Sequence, residues 1–158
     1  MKHLFSIRHG QYNNAGMTPK EKSQFEENYK IIKEIMGNKS VIIISAPLPR
    51  ALEGAGIIAN KFNVDEVISD HYLWSAKDAS SNRLNFSRDH DKHKLVSVVE
   101  SYENKADGII VISHLGAAGA LARFYGRESD MDIPHFYELR HGQMAHLDFS
   151  NNTFKIFR

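Results

Sequence analysis

The sequence predicts an α/β protein, a three-layer αβα sandwich whose mostly parallel central sheet ends in an antiparallel hairpin. Three observations carry this. Ser40-Val41-Ile42-Ile43-Ile44-Ser45 and Gly108-Ile109-Ile110-Val111-Ile112-Ser113 are short, β-branched, uninterrupted runs, as strands buried on both faces require. Amphipathic helical stretches alternate with them, the pattern of βαβ units. The tail breaks that alternation: two short strand patterns flank Asn151-Asn152, as in a hairpin.

Each element has its own signal. His3-Leu4-Phe5-Ser6-Ile7 opens the chain as a first strand. Thr18-Pro19-Lys20-Glu21 then supplies an N-cap Thr, a Pro at the first helical position and a Glu completing a capping box. Phe25, Tyr29, Ile32, Ile35 and Met36 follow at helical spacing, and Gly37 suits the stop. After the strand at Ser40–Ser45, Leu48 to Phe62 reads as a helix with Leu52, Ala55, Ile58, Ala59 and Phe62 on one face. Val64 to Ile68 reads as a further parallel strand. From Trp74 to His93 no period is evident, which predicts a long loop, functional or mobile. Lys94 to Tyr102 and Ala117 to Tyr125 are predicted helices on either side of the Gly108–Ser113 strand. Met144–Phe149 and Thr153–Phe157 are the hairpin.

The 158 residues fit one domain, 1–158. Lys plus Arg is 20 and Asp plus Glu is 19, a net charge of +1, which argues against broad binding to nucleic acid or an anionic membrane. With no cysteine, disulfides, thiolate nucleophiles and Cys-based zinc sites are excluded, and nine histidines carry much of the available chemistry. The N-terminus has no apolar stretch suited to a signal, and no run reaches the roughly 18 apolar residues of a membrane span. A soluble, cytoplasmic protein is the expectation.

In open α/β sheets, sites form beyond the carboxyl ends of the parallel strands. Arg8-His9-Gly10-Gln11, Ser45-Ala46-Pro47 running on to Arg50, and Ser113-His114-Leu115-Gly116 are predicted to meet there. Two guanidiniums hold a phosphoryl group by charge-assisted, bidentate hydrogen bonds. A neutral imidazole can attack phosphorus to give a phosphohistidine, and a second histidine can stabilise the shifting charge. Phosphoryl transfer asks mainly for positioning and charge stabilisation, which this set offers without metal or cofactor.

These three blocks, in this order and on strand ends, resemble the signature segments of the histidine phosphatase superfamily, the phosphoglycerate mutase-like fold. The resemblance runs from Arg8 to about Phe149, with Thr18-Pro19 similar to the family's first-helix start and Gly142–Leu147 to its closing strand. It implies that His9 is the phosphorylated nucleophile, that Arg8 and Arg50 bind phosphate, and that His114 completes the pocket. It also places Asn14, and backbone amides near Leu115 or Gln143, against the phosphate. The family's usual general acid, a Glu after the strand preceding Asp70-His71-Tyr72-Leu73-Trp74-Ser75, has no counterpart; Asp78 is the nearest substitute, with Asp89 behind it. An alkoxide leaving group needs a proton, whereas the imidazole of a phosphohistidine leaves more readily. Small single-domain bacterial phosphohistidine phosphatases of this superfamily share the missing acid and the chain length. The expected activity is therefore hydrolysis of phosphohistidine in a phosphoprotein. A broad phosphomonoesterase of small molecules, a mutase-like enzyme and a low-turnover phosphate-binding module are the alternatives. No large insertion could cap the site, which fits a protein-borne substrate. Gly54, where the family commonly has Thr, reads as a packing difference.

The other motifs have plainer readings. Arg140-His141-Gly142-Gln143 repeats the first tetrapeptide but precedes a strand, so it reads as a turn, with His141 at the rim of the pocket. Trp74 is a second rim candidate. Asp89-His90-Asp91-Lys92-His93 has the composition of a metal cluster without a further ligand set, and reads as a solvated loop. His3, His71, His135 and His146 read as surface or edge residues.

Overall fold

The computed structural model describes residues 1–10, 16–73, 89–134 and 138–157. Six strands form one sheet in the order β3-β2-β4-β1-β5-β6. β1 (His3–Arg8), β2 (Val41–Ser45), β3 (Ile68–Ser69) and β4 (Gly108–Ser113) are parallel, and β5 (Met144–Asp148) and β6 (Thr153–Phe157) close the sheet as an antiparallel hairpin. All of β4 is buried, as is β1 up to Ile7, because both faces are covered.

Successive strand residues point to opposite faces. Phe5 and the Met36 side chain of α1 (Pro19–Met36) lie on one side of the sheet, beside Gly108. Ser6 points to the other side, where its hydroxyl donates to the Ala118 carbonyl of α4 (Leu115–Glu128) at 2.9 Å. α1 packs with α2 (Pro49–Phe62), and α3 (Asp89–Glu100) with α4, so two helix pairs enclose the sheet. The capping box predicted at Thr18 and Glu21 forms as read, and Glu21 is buried there. A Cβ at Gly54 would lie 2.6 Å from the Phe25 ring, so this glycine permits the close approach of α2 to α1, a packing role.

Four expectations are corrected. The third parallel strand is Ile68–Ser69, not Val64–Ile68: Asn63 ends α2 in the left-handed conformation, and the Val64 amide donates back to Ala59. α3 begins at Asp89, not Lys94, and ends at Glu100, so Asp89–His93 is helical and not a loop. Its polar opening turns hide the helical period. α4 extends the predicted Ala117–Tyr125 at both ends, its N-terminus capped by His114. Finally, His3 and His146 are buried at 5 % exposure each, not at the surface. His71 is exposed as expected, and His135 lies outside the described residues.

The two buried imidazoles sit between β1 and β5, 3.3 Å apart from His3 Nδ1 to His146 Nε2, with the His146 ring stacked on Phe5. Burial lowers the pKa of His146 to about 4, and that of His3 also falls. Below pH 6.5 the unfolded chain therefore takes up protons that the folded chain refuses, and stability falls with pH until about 4. By linkage, one such histidine removes about 2 kcal/mol between pH 7 and pH 5. Denaturant unfolding of His146→Phe should show a pH 7 to pH 5 loss smaller by that amount. An unchanged loss in the variant would contradict this assignment.

Candidate phosphate site at the carboxyl edge of the sheet

Strand register assembles the site. Arg8 pairs with Ser113 and Ser45 with Ile112, so the residues that leave β1, β2 and β4 emerge side by side. The His9 amide donates to the Ser113 carbonyl at 2.9 Å, and the Ala46 amide to the Ile112 carbonyl at 2.9 Å. Arg50 stands in the first turn of α2, and His114 is the N-cap of α4. Two helix N-termini thus face the same edge, and their dipoles favour an anion.

The hydrogen bonds fix the tautomers. His9 Nδ1 lies 2.7 Å from the Gly10 carbonyl, an acceptor only, so Nδ1 carries the proton and donates. Nε2 then holds the lone pair, and it is buried without a hydrogen-bond partner. Burial, with Arg50, His114 and His141 nearby, lowers the pKa of His9 to about 4 despite the Gly10 bond, so the ring is neutral at neutral pH. His114 Nδ1 accepts from the Gly116 amide at 3.2 Å, which leaves the proton on Nε2. Burial and the two arginines bring its pKa to about 4 as well. One imidazole is set as a nucleophile and the other as a neutral donor.

The arginines complete the cradle. Arg8 Nη1 donates to the Leu139 carbonyl at 2.8 Å, and Nη2 lies 3.0 Å from His141 Nε2. The Nε atoms of Arg8 and Arg50 are buried without partners. Two half-buried cations with buried, unspent Nε donors, beside an unspent imidazole lone pair, are poised for a tetrahedral oxyanion.

Solved structures show this architecture. A mycobacterial glucosyl-3-phosphoglycerate phosphatase in complex with VO3 superimposes with a TM-score of 0.68 at 13% identity, over 99% of this chain and 98% of that one. A proposed phosphohistidine phosphatase, SixA, from Agrobacterium tumefaciens gives 0.67 at 11%, over 99% and 96%. Phosphoglycerate mutase from Plasmodium falciparum gives 0.55 at 23%, over 99% and 88%. The chain has the phosphoglycerate mutase-like fold. No protein-family model matches it, and no curated protein matches it in sequence.

Within this fold, Arg8, His9, Arg50, His114 and His141 come together at one edge. Asn14, Trp74 and Asp78 lie outside the described residues. Leu115 opens α4 beside His114. The Gln143 amide is turned elsewhere: it donates to the Arg140 carbonyl at 3.0 Å, while its side-chain oxygen accepts from the Arg140 amide at 2.7 Å. Gln143 therefore closes the turn with its backbone amide and side-chain oxygen. The Arg140–Gln143 repeat is a turn into β5, as read. The Leu139 carbonyl was not foreseen, since a backbone acceptor leaves no trace in side-chain chemistry. After β3, the Asp70 carboxylate accepts from the Tyr72 amide at 2.8 Å and so caps the short helical turn His71–Leu73. Among the described residues no helix is long and apolar enough to cross a membrane.

Proposed function

We propose that the chain is a phosphatase working through phosphorylated His9, and that its substrates are phosphohistidine side chains of proteins. The observation that carries this is the buried, unpartnered Nε2 of a neutral His9, at the sheet edge where Arg8 and Arg50 keep unspent Nε donors. The fold it shares with a glucosyl-3-phosphoglycerate phosphatase, solved also with inorganic phosphate, supports the same reading.

In the first step the His9 Nε2 lone pair forms a bond to phosphorus as the bond to the leaving group breaks. Arg8 and Arg50 neutralise the equatorial oxygens, and His114 Nε2–H donates to one of them. In the second step water attacks phosphorus, the P–N bond breaks, and inorganic phosphate departs with His9 returned to its neutral form. The leaving group favours a phosphoprotein substrate. A phosphohistidine protonated on its second ring nitrogen departs as neutral imidazole, with no proton taken from the protein. An alkyl ester departs as alkoxide and needs an acid.

Comparing kcat/KM for a phosphohistidine peptide and an alkyl phosphate tests this. General acid catalysis is worth about 10²–10⁴-fold, so the peptide should lead by at least about 10². An equal or faster alkyl ester would replace this reading with the broad phosphomonoesterase. Phosphate binding with no turnover of either would leave a binding module.

A further inference from the structure

His141 belongs to the turn that precedes β5, and the topology brings that turn to the carboxyl edge of β1. The Gly142 amide donates to the Arg8 carbonyl at 2.9 Å, and the Arg8 amide to the Gln143 carbonyl at 3.0 Å. Gly142 has φ +74, and a Cβ there would lie 2.8 Å from Gln24, so the turn needs glycine at this point. On the other side the Gly142 carbonyl accepts from the buried Asn28 amide of α1 at 2.8 Å. The turn is thereby anchored to both β1 and α1.

We infer that His141 is a positioning residue for Arg8: its Nε2 accepts from the Nη2 of Arg8 and, with the Leu139 carbonyl, turns the guanidinium so that its Nε edge faces the phosphoryl group. The inference rests on the phosphate-pocket reading above and adds a third histidine to it. The chemistry allows one arrangement. A guanidinium has donors only, so His141 Nε2 at 3.0 Å must be an acceptor and the ring's proton sits on Nδ1. Leu139 and His141 take one donor each from Nη1 and Nη2, which leaves the buried Nε–H unspent. Without them a long side chain would sample other rotamers and meet phosphate in only a fraction of its states. His141 acts through this bond to Arg8. Its ring centroid is 6.2 Å from that of His9, and Arg50 and Glu21 are the other charged groups that face it.

Calorimetric titration with inorganic phosphate and with orthovanadate tests the inference. A hydrogen bond to a charged group is worth about tenfold or more, so His141→Phe, which has no acceptor, should bind both anions about tenfold more weakly than wild type. His141→Gln, which restores an acceptor oxygen, should recover to within about threefold, with the same thermal midpoint as the Phe variant. If His141→Phe does not fold, His141→Ala carries the same expectation. Wild-type affinity in the Phe variant, or equal losses in Phe and Gln, would overturn the positioning role. A wild-type protein that binds neither anion would instead overturn the phosphate pocket, and the role of His141 with it.

Discussion

His9→Ala abolishes turnover while leaving anion binding largely in place: this is the largest effect expected of any single substitution. Nε2 of His9 is a buried lone pair with no partner, and the donated Nδ1–H fixes it in that tautomer. Removing a nucleophile from a covalent mechanism typically costs about 10⁴-fold or more in kcat. Steady-state hydrolysis of a phosphohistidine peptide would read this loss. The arginines remain, so phosphate affinity should change far less than kcat. A His9→Ala enzyme retaining wild-type rates would mean that the chemistry runs elsewhere.

The second large effect is expected at Arg50. Its Nε is buried without a partner, so the free protein leaves a desolvated donor unspent. Delivered to an equatorial oxygen, that donor strengthens as charge moves onto the phosphoryl group. Removal of one such transition-state donor costs about 2.7–4 kcal/mol, or about 10²–10³-fold. Arg50→Ala should lose that much in kcat/KM. Arg50→Lys should recover only part of it, because an ammonium keeps the charge but not the fork. Arg50 is a cleaner probe than Arg8, whose replacement would also release the Leu139 carbonyl and His141. Full activity in Arg50→Lys would show that charge alone is needed.

Most of the frame was legible because it rests on local rules. β-branched runs in β2 and β4, the Thr18 capping box and the Asn-turned hairpin each depend on a few adjacent residues. The edge where Arg8, His9, Arg50 and His114 meet was legible too, since parallel strands deliver their carboxyl ends to one side. What escaped depends on partners distant in sequence. His3 and His146 look like exposed polar residues until β1 and β5 pair and bury them against each other. His141 shows its contact with Arg8 only once positions 133 apart in the chain are brought together. The polar start of α3 offered no apolar period to read, and β3 is held by two residues of pairing with β2.

The central claim is a covalent phosphoryl group on His9 Nε2. Phosphorus NMR and intact-mass spectrometry should be run on enzyme mixed with a phosphohistidine peptide and denatured at alkaline pH, where the P–N bond survives. The account predicts one added phosphoryl group, mapped to His9, formed in wild type and absent in His9→Ala. Rapid substrate turnover with no phosphoenzyme at any time point, or a label mapping to His114 or His141, would contradict it.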